Sequence, residues 1–128
     1  MDTSTWIFIF AAILFGWILY KQFAPVKGLN QLQETDFRKQ IESFKNIQLI
    51  DVREPHEFKT GHIRGAVNVP LSQLTSRVGE IIVDEPVYIY CQSGMRSKQA
   101  AHLLLKRGYP EIHHLIGGIS AWKGKRVA

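Results

Sequence analysis

"VYIYCQSGMRSKQAAHLLLKRG", residues 87–108, decides how this chain reads. Val87–Tyr90 is a short apolar run of β-branched and aromatic residues introduced by Pro86, the pattern of a buried strand. From Ser97 the pattern changes to a helix, with Ala100, Leu103 and Leu104 on one side, Lys106 and Arg107 in the last turn and Gly108 as a C-cap. Cys91, the only cysteine of the chain, lies where the strand gives way to the helix. In parallel α/β sheets ligands bind at the carboxyl ends of strands, so this position makes the thiol a candidate nucleophile.

Four residues, Gln92, Ser93, Gly94 and Met95, separate Cys91 from Arg96. A loop this short, running into a helix, can curl so that several backbone N–H groups face the sulfur. With the helix dipole and the Arg96 guanidinium they form a concavity that favours the thiolate, the attacking form. Gly94 supplies freedom for the turn. Ser93 and Ser97 offer hydroxyls, although Ser97 can also serve as a helix cap, and Lys98 either adds to the positive field or faces solvent.

Outward from this junction, "NIQLIDV" at 46–52 and "IHHLI" at 112–116 read as further strands. "TDFRKQIESFKN" at 35–46 reads as a helix capped by Thr35 or Asp36, with Phe37, Ile41 and Phe44 on its apolar face. Helices between strands imply an α/β fold, a parallel sheet covered on both faces. His113 and His114 alternate across their strand and so cannot share a ligand site, and no metal site is expected.

Composition bounds the rest. The chain has 128 residues, 45% hydrophobic and 21% charged, with net charge +5, which is one compact domain of ordinary globular material. One cysteine excludes an internal disulfide and suits a reducing compartment. The moderate positive charge fits small anions or anionic lipid; without a basic tract interleaved with aromatics, nucleic acid is not expected as a partner.

The opening stretch sets the location. "WIFIFAAILFGWILY" at 6–20 carries no charged side chain, and counted from Thr3 it gives ~27 Å of helix at ~1.5 Å per residue, barely enough to span a bilayer. Trp6 at one end and Trp17 and Tyr20 at the other sit where interfacial aromatics belong. The rival reading is a signal peptide, which would want basic residues before the apolar run and a small-residue cleavage site after it. Residues 1–24 are therefore read as an anchor and linker, with Pro25 and Gly28 breaking the helix, and residues 25–128 as the folded domain. Lys21, Lys27, Arg38 and Lys39 follow the span and no basic residue precedes it, which predicts a single-pass protein with its domain facing the cytoplasm.

Three blocks in order carry a family resemblance: "DVREPHEFKTGHIRGAVNVP" at 51–70, "YCQSGMRS" at 90–97 and "GGISAW" at 117–122. Together they make residues 28–125 resemble a single-domain rhodanese of the sulfurtransferase family. The resemblance implies a sheet of about five parallel strands. It also implies that Cys91 takes a sulfane sulfur from a donor such as thiosulfate, becomes a persulfide and passes the sulfur on, with no metal or organic cofactor. Having no second thiol, the chain needs an outside acceptor: a small thiol, cyanide or a protein. A protein is also an admissible donor.

Two alternatives stand beside this. Cysteine-based phosphatases and arsenate reductases of related fold use five residues between cysteine and arginine, one more than here. A non-catalytic, membrane-tethered binding module would usually lack the loop cysteine, which this chain keeps. Asp51, Arg53, Glu57 and His62 are assigned support of the loops rather than catalysis. Lys123, Lys125 and Arg126 read as a solvated tail or a contact for anionic lipid. The whole reading requires the Cys91 thiol to be reachable from solvent.

Overall fold

A computed structural model describes residues 2–23 and 28–128. The expected boundary between anchor and domain, with Pro25 and Lys27, lies outside these residues. Helix α1, Thr3–Phe23, is apolar and long enough to cross a membrane by length and composition. Its large side chains, among them Phe8, Phe10, Phe15 and Trp17, are exposed. Tyr20 lies beside Trp17, and the Lys21 ammonium sits 5.3 Å over the Trp17 ring.

The remaining chain runs β1 (Leu29–Leu32), α2 (Glu34–Ser43), β2 (Gln48–Asp51), α3 (Pro55–Thr60), β3 (His62–Ile63), β4 (Val67–Asn68), α4 (Leu74–Arg77), β5 (Val87–Tyr90), α5 (Met95–Lys106), β6 (Ile112–Leu115) and β7 (Arg126–Val127). Five of the strands form a parallel sheet in the order β1-β6-β5-β2-β4. β5, which delivers Cys91, is the central strand.

The pleat sends alternate residues to opposite faces. On one face Ile50, Val87, Ile89, Cys91 and Ile112 pack with Leu74, Ala100, Ala101 and Leu104 of α4 and α5. On the other, Leu49, Tyr88, Tyr90 and Leu115 pack with Phe37, Ile63, Ile119 and Trp122. Both faces are covered, as a parallel sheet demands.

Several boundaries differ from the expected ones. Helix α2 starts at Glu34 behind Gln33, not at Thr35 or Asp36. Its first turn is pinned by the buried Glu34 carboxylate, which accepts from the Lys123 N–H at 3.1 Å and pairs with Arg38 at 3.1 Å. Phe44 falls beyond the helix in extended conformation and is exposed rather than part of the apolar face. In α5 the buried face is Ser97, Ala100, Ala101 and Leu104, spaced 3, 4 and 7 from its first member; Leu103 is only partly covered. Arg107 closes that helix, and Gly108 follows it.

The C-terminal residues are not simply a solvated tail. Arg126 and Val127 pair antiparallel with Ile63 and His62, and the Arg126 guanidinium donates to the Ile119 carbonyl at 2.8 Å. The Trp122 indole N–H likewise donates to the Lys125 carbonyl at 3.2 Å.

Candidate active site

The segment after β5 curls back toward the Cys91 sulfur. Gly94 is the N-cap of α5 at φ 107°, a conformation that glycine adopts and side-chain-bearing residues avoid. The turn brings the Gly94 N–H to 3.0 Å from the Cys91 sulfur. Ser97, one turn into the helix, places its hydroxyl 3.5 Å from the same sulfur and 3.2 Å from the Gly94 carbonyl. Because Gly94 takes the cap position, Ser97 is left to face the thiol instead of capping the helix.

Of the several amides expected around the sulfur, the Gly94 N–H is the one within hydrogen-bonding distance in this conformation. The sulfur also sits deeper than expected: Cys91 is 1% exposed, so the thiol is not open to solvent as the sequence reading requires. The cause is local, since the Cys91 side chain joins the apolar cluster of Val87, Ile89 and Ala100 while the loop folds across it.

Three groups of residues hold the loop from outside. In the first, Asp51 and Arg53 form a buried ion pair at the end of β2, with Arg53 Nε 3.1 and 3.0 Å and Nη2 2.8 Å from the carboxylate oxygens. The same guanidinium donates to the Gly61 carbonyl at 2.6 Å and the Gln92 side-chain carbonyl at 3.3 Å, joining the end of α3 to the loop. Burial lowers the Arg53 pKa and the Asp51 carboxylate raises it, with a net upward shift.

The second group is an ion pair. Arg96 donates to both oxygens of Glu57, at 2.6 and 2.9 Å. Glu57 is itself fixed, because its Oε1 also accepts the Glu54 N–H at 3.1 Å across the first turn of α3. The Arg96 hydrogen bonds bring the Glu57 carboxyl down to about 2 against the opposing effect of burial. In turn Glu57 raises the Arg96 pKa.

The third group is the Gly117–Trp122 segment. The Ile119 N–H donates to the Cys91 carbonyl at 2.8 Å, and the Ser120 N–H and hydroxyl donate to the Gln92 carbonyl at 3.2 and 2.8 Å. Gly118 makes this approach possible. At φ 62° it lies so close that an added Cβ would meet the Cys91 and Gln92 carbonyl oxygens at 2.5 Å.

His62, placed among the supporting residues, does not join this cluster. Its Nδ1 is 2.9 Å from the Phe58 carbonyl, and its ring stacks on Phe58 with centroids 3.7 Å apart. The two adjacent histidines do face opposite sides. His113 stacks on Tyr88 at 4.4 Å, whereas His114 brings its Nδ1 to 2.7 Å from the Ser97 hydroxyl. His114 is the site neighbour that sequence reasoning missed; the available signal was the alternation of β6, which sends one of the pair toward α5. Burial and then Lys98 lower the His114 pKa to about 4, so the ring is neutral near pH 7.

The sequence matches the Rhodanese-like domain over residues 33–125. The chain belongs to the rhodanese-like sulfurtransferase family. Among similar proteins, the uncharacterized protein YqhL of Bacillus subtilis is 47% identical over 128 residues, covering 98% of this chain and 96% of that protein. The thiosulfate sulfurtransferase GlpE of Shewanella oneidensis is 35% identical over 83 residues, covering 65% of this chain and 82% of its own. A crystal structure of a rhodanese-related protein from Thermoplasma volcanium has a TM-score of 0.69 at 28% identity, covering 77% of this chain and 97% of that one.

Proposed function

We propose that this chain carries sulfane sulfur on Cys91, from a donor such as thiosulfate to a thiol, cyanide or protein acceptor. The observation that carries this reading is the placement of the single thiol at the end of the central strand, with the Gly94 N–H 3.0 Å from its sulfur at the N-terminus of α5. The Cys91 thiolate attacks the outer sulfur of thiosulfate. A new S–S bond forms to the cysteine, the S–S bond of the donor breaks, and sulfite leaves with its electron pair. The persulfide keeps one negative charge, which the Gly94 N–H and the helix dipole stabilise. An acceptor nucleophile then takes the outer sulfur and regenerates the thiolate; with one cysteine in the chain, that nucleophile comes from outside.

Because the thiol is covered, donor entry requires the loop to move. Residues 92–97 are the substrate-binding loop in this reading, and Asp51, Arg53 and Glu57 set its position through the bonds described above. The deciding measurement is intact mass of the 128-residue chain in detergent after exposure to thiosulfate. Wild type gains one sulfur atom and Cys91→Ser gains none; equal masses for the two end the proposal. Hydrolysis of an aryl phosphate without sulfur uptake would instead favour the phosphatase reading.

We further propose that residues 1–24 anchor the domain, 25–128, to a membrane with the domain in the cytoplasm. The length, apolar composition and exposed side chains of α1 support this. The absence of basic residues before the helix and their presence after it support the orientation. Fractionation with protease access from each side of the membrane tests both points.

A further inference from the structure

We infer that His114 is a positioning residue for the sulfur chemistry, holding the Ser97 hydroxyl so that it changes from acceptor to donor as Cys91 changes from thiol to anion. This rests on the sulfurtransferase reading above and extends it to a residue outside the loop. His114 Nδ1 lies 2.7 Å from Ser97 Oγ, which lies 3.5 Å from the Cys91 sulfur. Ser97 is fully buried and Cys91 is 1% exposed, so the sulfur end of the chain is shielded from competing water, while His114 at the other end keeps 4% exposure.

A hydroxyl has one proton to give and lone pairs to accept with. While Cys91 is a thiol, its S–H points to Ser97 Oγ and the Ser97 O–H points to an unprotonated His114 Nδ1. For an anionic sulfur the hydroxyl must point the other way. The balance closes through the imidazole: the thiol proton passes to Ser97 Oγ, the Ser97 proton passes to Nδ1, and Nε2 gives its proton to water. The ring ends neutral, as the other tautomer, with Nδ1–H donating to Ser97 and Ser97 O–H donating to sulfur. Without the imidazole, the Gly94 carbonyl, 3.2 Å from Ser97 Oγ, is left as the standing acceptor and turns the hydroxyl away from the sulfur. A ring kept neutral by burial and by Lys98 has both tautomers available near pH 7.

The test uses the whole chain in detergent with thiosulfate and cyanide. His114→Leu is expected to lower kcat about tenfold with KM changed by less than about twofold, and His114→Asn, whose amide reaches the Nδ1 position, to restore most of kcat. Ser97→Ala is expected to match His114→Leu, with no further loss in the double variant. Equal impairment of the Leu and Asn variants, or wild-type kcat in His114→Leu, overturns the inference. Should His114→Leu fail to fold, nitrogen NMR of the wild-type His114 ring decides. The proton should sit on Nε2 in the resting thiol and on Nδ1 in the sulfur-loaded protein, and an unchanged tautomer overturns the inference. Failure of wild type to take up sulfur at all would sink the sulfurtransferase reading; normal uptake with an unchanged tautomer sinks the role of His114 alone.

Discussion

Arg96 and Glu57 are joined by two short hydrogen bonds, 2.6 and 2.9 Å, across the gap between α5 and α3. The loop's only arginine is thus already neutralised by a carboxylate before any anion arrives. A donor with a sulfonate end must share that guanidinium with Glu57 or displace it.

Glu57→Gln should therefore make the guanidinium more available. The expected result is a KM for thiosulfate lowered about threefold to tenfold and faster alkylation of Cys91 by iodoacetamide, since the latch on the loop is weaker. Arg96→Ala should have the opposite effect on thiosulfate use, raising KM at least about tenfold. Steady-state kinetics of both variants, with the alkylation rate, checks the assignment; an unchanged KM in Arg96→Ala would confine Arg96 to shaping the loop.

Gly118→Ala forces a Cβ into the Cys91 and Gln92 carbonyl oxygens, at a φ that alanine rarely adopts. The backbone of the loop has to retreat, taking the hydrogen bonds from Ile119 and Ser120 with it. Loss of about 2 kcal/mol in stability and more than about tenfold in sulfur transfer is expected. Thermal melting and mass-detected sulfur uptake measure the two effects separately.

Asp51→Asn leaves the buried Arg53 guanidinium without its counter-charge. Removing one partner of a buried pair costs about 3–5 kcal/mol. That is a large part of the stability of a single domain, about 5–15 kcal/mol. Denaturant titration should show the loss, and Gln92 should become more mobile as its Arg53 contact weakens.

Acid should weaken the fold in two steps. His114 takes a proton at about 4 when folded, against 6.5 ordinarily. Between these values the unfolded chain binds more protons, so stability falls as pH drops from 6.5 through 4. Lys98, from α5, is the charged neighbour that contributes to the shift, while Gln31 and Ile89 flank the ring on β1 and β5 without charge. Glu57 adds a second loss, beginning near 4.5 and complete as pH falls through about 2. Melting temperature against pH should show the upper step in wild type and not in His114→Asn.

The central strand, the following helix and the position of Cys91 between them were legible because each has local chemistry: an apolar run, a helical stripe and a glycine at the turn. The crossed contacts were not. Arg96 with Glu57 and Gln92 with Ser120 unite residues 39 and 28 positions apart, and spacing along a chain does not encode which loop ends meet above a sheet. His114 was half legible, since alternation separates it from His113 but leaves open which of them meets Ser97. The depth of Cys91 was illegible for a related reason. A short polar loop looks exposed in sequence, yet Gly118 lets a second segment lie against its backbone and hold it down.

The covered thiol has a consequence for survival of the enzyme between turnovers. A sulfhydryl sealed beneath its own loop is withheld from peroxide and from the thiol of a neighbouring copy, so resting molecules resist both overoxidation and cross-linking. In the proposed sulfur-transfer cycle, reactivity appears only when the loop moves to admit a donor, and idle protein keeps its one irreplaceable atom unspent.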